Sequence, residues 1–462
     1  MNIYIKIEVK RRELESRLLL AMAAAERGHQ VLLGASNLTL DLVKQKKLKP
    51  GIIFEKSIVP SKKRINQLRA YKKNNCKITV IDEEGGFINN NFTTEFLKER
   101  FSAQSVALTD KVFTWGTRDY KKFINYFNKF KNKFSRTGNP RIDFWRKEFN
   151  YYYKNQKLNQ IKPKDNFILL ASNFGAMVHE HRIWQEISLL RELNNFKRGR
   201  DEFLFYEYKS YKIRLAAKFV KAFRKISKKF KNLKIVIRPH PTESIKAWKS
   251  IIGDHKNIYV INDGSIGKWI RKAKLVVHNS CTSGIESHVA NVPTIAYRPL
   301  KSNFDLKFPN ALSINIYDEE NLIKKIEQII KKNKNFYNKD KKLNNYFYNL
   351  ENNFAFENIV NEWEKIDDGR LSEKNNFFKL KVIANSKELK GKIINRVFSK
   401  TANKATSNSA TYKFPKITNN ELKTLTNGIK NTLKRFKKVN VELFSDRLIL
   451  VNKKNNNNEN SW

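Results

Sequence analysis

Two stretches, LKIVIRPHP (233–241) and KLVVHNSCTSGIESHVANVPTIAYRP (274–299), decide how this chain folds. Each starts as a short β-branched run of strand length and stops abruptly. Prolines stop the first; Ser, Thr and Gly stop the second. Residues from about Ser283 then take helical spacing, and VPTIAYRP (292–299) is apolar again. Strand, helix, strand in direct succession is the signature of parallel strands joined by crossovers. Parallel sheets place reactive groups at strand C-terminal ends. Those ends carry Arg238 and His240 in one case and Ser280, Thr282, Ser283 and Gly284 in the other.

The same alternation extends outward in both directions. NFILLASNF (166–174) and NIYVIN (257–262) read as strands. SYKIRLAAKFVKAFRKISKKF (210–230) reads as a basic amphipathic helix, with Leu215, Phe219, Ala222, Phe223 and Ile226 on one face. Further upstream, NIYIKIEV (2–9), QVLLG (30–34), GIIFEK (51–56), KITVID (77–82) and KVFTW (111–115) are strands, and FSRTGNPRIDFW (134–145) closes that half. A helix from Glu13 to Arg27 follows the first strand, with Gly28 as its stop. The expected fold is α/β: two Rossmann-like domains whose parallel sheets face an interdomain cleft. Expected boundaries are 1–150 for an N-terminal acceptor domain and 163–370 for a donor domain, with an Asn- and Lys-rich linker near 148–165. Residues 371–462 are expected to form a basic, partly disordered extension with one helix near 419–437 and a small hairpin within 440–451.

The chain has 462 residues, 92 Lys+Arg and 44 Asp+Glu, a formal charge of +48. That charge suits a polyanion or an anionic lipid surface. A bias toward Lys, Asn, Ile, Phe and Tyr along the whole chain accounts for much of it. No basic stripe with interleaved aromatics forms a nucleic-acid-binding module, so no nucleic acid partner is expected. Cys76 and Cys281 are too few for a disulfide framework or a structural zinc site. The longest apolar run, LLLAMAAA (18–25), falls short of the roughly 20 residues a span needs. The expected location is therefore the cytoplasm, soluble or held peripherally on the inner face of the membrane.

The chemistry-bearing residues form three groups. Pro239 and Pro241 fix the backbone around His240, which can give a proton or hydrogen bond to a leaving phosphate. Arg238 would neutralise that phosphate or buttress the loop. Ser280, Thr282, Ser283 and Gly284, entering a helix, suit an anion, and Glu286 suits ribose hydroxyls. A plain helix cap is the competing account. The third group is Asp82, Glu83, Glu84, Gly85 and Gly86. Three acids in one half-exposed turn suit a base for an acceptor hydroxyl, with Glu83 and Glu84 the candidates. Lys10, Arg11, Arg12 and Glu13 at the end of the first strand, with Asn139, Arg141 and Asn173, are weaker candidates for holding an acidic substrate. No partner acids sit at matching strand ends, so no metal is expected.

These motifs give the chain a resemblance to bacterial surface-carbohydrate biosynthesis proteins, carried by VKRREL, RLLLA, AERGH, IDEEGG, GNPRID, RPHP and the Ser-rich helix entry over residues 1–370. More loosely it resembles the GT-B transferases that use CMP-activated ulosonic acids, the Kdo and polysialic acid type. In those enzymes an acid-acid-Gly motif carries the base, a His-Pro motif assists departure of CMP, and a serine motif holds its phosphate. Glu83-Glu84-Gly85, His240-Pro241 and Ser280 or Ser283 match those motifs here. The resemblance implies a metal-independent glycosyltransferase passing an acidic sugar from a nucleotide donor to a glycan or glycolipid acceptor. Two alternatives stay open: a CDP-polyol phosphotransferase of the teichoic-acid type, and a nucleotide-sugar 2-epimerase. The first calls for a second N-terminal histidine, and His29 lies at a helix end away from the expected site.

Overall fold

Runs of β-branched residues, each followed by an amphipathic stretch, close two separate sheets. The computed structural model describes residues 1–86, 93–158, 160–162, 165–175, 191, 199–240, 243–331, 343–373, 375–386 and 414–454. The chain divides into a first unit, Met1–Phe144 with Lys342–Trp462, and a second, Trp145–Lys341. The strands of the first unit are β1 (Asn2–Ile7), β2 (Gln30–Ala35), β3 (Ile52–Glu55), β4 (Lys77–Ile81), β5 (Lys111–Thr114) and β6 (Phe134–Arg136). The second holds β7 (Phe167–Ala171), β8 (Lys234–Arg238), β9 (Ile258–Val260), β10 (Leu275–His278), β11 (Thr294–Tyr297) and β12 (Ile314–Ile316). The chain then returns to the first unit with β13 (Val439–Ser445) and β14 (Leu448–Lys453).

The first sheet runs β13-β14-β2-β1-β3-β4-β5-β6. Strands β1 to β6 pair in parallel, and β14 closes the β2 edge in antiparallel register. Strand β1 is buried along its whole length, as a central parallel strand must be. Its one interior charge, Lys6, meets Glu55 of β3 at 2.6 Å and the Tyr71 hydroxyl at 2.9 Å. The helix Lys10–Glu26 lies against this sheet, and Leu18 to Ala25 are all fully buried. The stretch LLLAMAAA is thus apolar all round because neighbours cover it all round. The sheet covers one side; the helix Ala355–Lys365 and the hairpin β13–β14 pack against the same helix.

That return changes two expected boundaries. The C-terminal stretch is no appendage: its hairpin adds two strands to the first sheet, and Trp363 reaches Thr79 of β4 with an indole bond of 2.9 Å. The expected linker is packed as well. Phe149, Tyr152 and Tyr153 are buried, and Asn150–Lys154 is helical. An Asn- and Lys-rich composition concealed the aromatics that anchor it. The stretch 390–412 and the end of the tail lie outside the described residues.

The second sheet runs β12-β11-β10-β7-β8-β9, parallel throughout. Counted within the unit this is the doubly wound order, and the winding reverses between β7 and β10. Ligands in such sheets bind outside the strand C-terminal ends at that reversal. His278, Ala171 and Arg238 share one register row across β10, β7 and β8, so the loops after them leave the sheet side by side.

A chain ending after residue 413 would lose both hairpin strands and bare the edge of β2. An open apolar edge recruits other chains. The expected outcome is a lower melting temperature with aggregation, read by calorimetry and light scattering. A truncated chain that stays monodisperse and melts as the full chain does would show the hairpin to be dispensable.

Candidate active site

In the second unit the loop after β8 is held by a buried carboxylate. Glu243 is fully buried. Its Oε1 accepts the Phe174 N–H at 2.6 Å and the Gly175 N–H at 3.1 Å, both from the loop after β7. Its Oε2 accepts the His240 N–H at 3.1 Å, the Trp248 indole N–H at 2.8 Å and the Ser172 hydroxyl. The Ser172 Oγ also accepts from the His240 N–H at 3.2 Å. Two strand ends are thus tied through one charge, and the backbone of His240 is fixed while its side chain stays partly exposed. Pro241 lies outside the described residues. Arg238 is buried, donates to the carbonyls of Ile261 (3.1 Å) and Gly264 (2.8 Å), and sits over the Trp269 ring. Of its two expected roles the geometry gives it the buttress. Asn173 offers its carbonyl to Lys212 Nζ at 2.8 Å.

The loop after β10 is prepared differently. Ser280 takes a left-handed backbone, φ 46°, and its hydroxyl accepts from Asn310 Nδ2 at 2.9 Å. The helix Thr282–Val289 begins directly after it. Gly284 is required there, because any Cβ would collide with the imidazole of His278. That ring is buried and accepts the Cys281 N–H on Nδ1 at 3.3 Å, so its Nε2 carries the proton and faces Ser313 Oγ at 2.9 Å. Burial holds its pKa down at about 3, so it packs as a neutral group. Glu286 is also buried and lies 3.6 Å from Arg271. Two polar side chains at this helix entrance meet no partner among the described residues: Asn279 (3% exposed), at both amide atoms, and Ser283 (3% exposed), at Oγ. A buried amide left unpaired is costly, and native structures keep few of them. Here they stand at the winding reversal, at a helix N-terminus, where an anion is favoured.

In the first unit the acidic turn after β4 is an ion network, and only one of its acids is exposed. Asp82 is buried and takes Arg100 in a two-pronged bond, 2.8–3.0 Å. Burial outweighs that partner and holds its pKa above the ordinary value. Glu83 is buried with Arg17 on one oxygen at 2.6 Å and Arg141 on the other at 3.2 Å. Burial opposes its charge, yet Arg17, Arg141 and Arg12 together hold its pKa below normal. Glu84 is 52% exposed at its side chain and meets Arg12 at 2.9 Å. Desolvation among its neighbours is outweighed by Arg12, Arg100 and Arg141, which hold it at about 2. The acids expected in one half-exposed place are therefore split by environment: two are buried struts and Glu84 is the accessible one.

The remaining candidates are structural or peripheral to that turn. Glu13 is fully buried and accepts the backbone N–H groups of Glu8 (2.8 Å) and Val9 (3.3 Å), closing the start of its helix. Lys10 is tied to the Lys416 carbonyl (2.7 Å) and Glu421 (2.6 Å). Asn139 caps the helix Pro140–Asp143 by accepting the Arg141 N–H at 2.9 Å. Arg11 is partly exposed beside them. Arg12 and Arg141 of this group join the acidic turn. Sequence spacing did not flag Arg17, Arg100, Trp115 or Asp119, because their partners lie far along the chain, nor Glu243 or Asn279, whose burial no local pattern shows. Only Glu243, three residues after His240, offered a local cue. Among the described residues no three His, Cys, Asp or Glu side chains gather as metal ligands.

No known family model matches the sequence, and none of the curated proteins does. Among solved structures, the chain is similar to an S. aureus MnaA–UDP co-structure, at 13% identity and TM-score 0.48, covering 81% of this chain and 98% of that one. A UDP-GlcNAc 2-epimerase from Neisseria meningitidis bound to UDP-GlcNAc gives 13% identity and TM-score 0.45, over 79% of this chain and 100% of that one. The wall teichoic acid polymerase TagF soaked with CDPG gives 10% identity and TM-score 0.48, over 81% and 90%. No chemistry follows from likeness at this level.

Two predictions test the supports. Glu243→Ala removes the shared acceptor of five donors, several of them buried. Each buried donor left unpaired costs about 1–3 kcal/mol, so the expected loss is at least about 2 kcal/mol of unfolding free energy by urea titration, and a loss below about 1 kcal/mol would show the loop to be held otherwise. Asp119, fully buried, accepts the Gly86 N–H at 2.6 Å on Oδ2, while its Oδ1 meets no partner among the described residues. Burial raises its pKa from 3.8 to about 6, against Gly86, Arg118 and Lys122 and with help from Asp82. The folded state thus binds a proton that the unfolded state has released between about pH 4 and 6. Stability from this group is complete below pH 4 and falls as pH rises to 6, by about 3 kcal/mol. Asp119→Asn should remove that slope from the difference between variant and wild-type melts.

Proposed function

We propose that this chain is an enzyme of surface-glycan assembly that binds a nucleotide-activated sugar in its second unit and transfers an acidic sugar, carried by CMP, to a glycan acceptor. The unpartnered Asn279 and Ser283 carry this reading. They are buried at the reversal of a doubly wound sheet, at the entrance of a helix, beside loops held rigid by Glu243 and Arg238. A donor phosphate there would accept from Ser283 and the first N–H groups of the helix Thr282–Val289, and Asn279 would give its amide to the same ligand. Thr282 stands in the first turn with them. Ser280 and Gly284 shape the loop, and Glu286 is the acid available for ribose hydroxyls.

His240 would stabilise the departing phosphate. Help of that kind is worth about 10²–10⁴ in rate, and it is favoured by a backbone fixed in advance, which the bonds of the His240 main-chain N–H to Ser172 and Glu243 provide. Of the two carboxylates considered for the acceptor proton, Glu84 is the accessible one, and Glu83 is assigned to positioning Arg17 and Arg141. Arg12 and Arg141 would meet the charge of an acidic substrate. The neighbouring chemistries, polyol-phosphate transfer from CDP donors and 2-epimerisation of a nucleotide sugar, would use the same donor loops.

A thermal-shift comparison of CMP, CDP, UDP and GDP separates the three. CMP should raise the melting temperature most; stabilisation by CDP or by UDP alone would move the assignment to the polyol or epimerase reaction. Ser283→Ala should weaken the preferred nucleotide roughly tenfold or more, as loss of a hydrogen bond to a charged group does. His240→Ala should abolish transfer while keeping nucleotide binding, and near-normal turnover by that variant would remove the proposed role.

A further inference from the structure

The helix Arg200–Lys229 of the second unit has two unlike faces along its 30 residues. Leu215, Ala216, Phe219, Ala222, Phe223 and Ile226 face the core and are buried. The opposite stripe is exposed and changes character along its length. Its first half shows Phe203 (64% exposed), Leu204, Tyr206 (53%) and Ile213. Four of the nine exposed large hydrophobic residues of the described chain thus stand on one helix, three of them within four positions. Monomeric soluble proteins scatter such residues singly. The second half of the same stripe is cationic. Arg214, Lys218, Lys221 and Lys228 are exposed and meet no acid among the described residues. Nearby Lys225 and Lys229 are held by Glu319 and Glu327, and Arg224 by the carbonyls of Ile251 and Ile252. Glu207 is the one exposed acid in the stripe.

From Phe203 to Lys228 the stripe is roughly 38 Å long. Aromatic rings at one end and unpaired ammonium groups at the other match the two layers of a membrane surface. Tyr rings favour the headgroup boundary, where an apolar body and a polar tip are both satisfied, and a Phe ring adds apolar area that enters the same layer. Lysines and arginines favour anionic headgroups and lose that attraction to salt. A protein partner would call for acids, and an apolar socket, at matching places. A nucleic acid would use the cations but leave Leu204 and Ile213 in water. No helix among the described residues is long and apolar enough to cross a bilayer, so this face would lie on the surface. We propose that the outer face of the helix Arg200–Lys229 docks the protein on an anionic lipid surface, with Phe203, Tyr206 and Ile213 entering the headgroup layer and Lys218, Lys221 and Lys228 meeting lipid charge.

The test is co-sedimentation of the full chain with phosphatidylcholine vesicles, with and without phosphatidylglycerol, at low and high salt. Binding should need the anionic lipid and weaken with salt. Phe203→Ser with Tyr206→Ser and Ile213→Ser should lower binding roughly tenfold or more with little change in its salt dependence. Lys218→Glu with Lys221→Glu and Lys228→Glu should lower it by a similar factor and flatten the salt dependence. Melting curves and the nucleotide shift of the same variants confirm that the fold and the donor loops are intact, so a failure here is distinct from failure of the transferase reading. Equal binding to neutral vesicles, wild-type binding by either triple variant, no binding at all, or conversion of a dimer to a monomer by the apolar variant would each overturn the proposal.

Discussion

A carboxylate removed from water must find partners for its lone pairs or give up its charge, and the candidate site depends on that constraint. In the second unit Glu243 meets it by collecting donors from the loops after β7 and β8 and from the Trp248 indole. The two loops cannot drift apart without stranding the charge. In the first unit Glu83 meets it with Arg17 and Arg141. The Arg17 guanidinium lies over the Phe54 ring and is itself buried, so the pair is fixed from both ends. Both strand-end loops are rigid because a charge inside each permits no other arrangement.

The contrast between the two loops after β8 and β10 follows from the same constraint. Where Glu243 works, donors and acceptors are matched. After β10 they are not: among the described residues Asn279 and Ser283 are buried without partners. A surplus of matched bonds gives rigidity, and a local deficit gives appetite for a ligand. The turn after β4 is matched as well, with Asp82 and Glu83 enclosed by arginines and Glu84 half-exposed but paired with Arg12. Gly86, at φ 91°, lies flat on the Trp115 ring, and the Trp115 indole bonds the Asp82 carbonyl at 2.8 Å. The paired glycines in the motif therefore reflect close approach of an aromatic ring.

The fold class was legible because parallel strands buried on both faces leave nearly continuous apolar runs, and β1, β7, β8 and β10 all show them. The hairpin near the C-terminus was legible from its alternation, but its destination was not. Pairing of β14 with β2 joins residues more than 400 positions apart, and no local pattern encodes that. Residue type at strand ends picked out His240, Ser283 and Glu84 as candidates, and the fold places them in or just after the loops that follow β8, β10 and β4. Residue type misleads where a side chain serves the interior: Lys10, Glu13 and Asn139 have surface chemistry in sequence and internal partners in the fold. Periodicity could not reveal those roles, because each is set by a bond to a distant or backbone partner.

The return of the chain to its first sheet bears on how the protein is made. The second unit is one unbroken segment, Trp145–Lys341, whereas the first needs both Met1–Phe144 and the strands after Val439. Domains fold as units while synthesis proceeds. On the ribosome the later-encoded unit is therefore able to mature first, and the earlier one must wait, its β2 margin open, until the strands from Val439 onward have been translated.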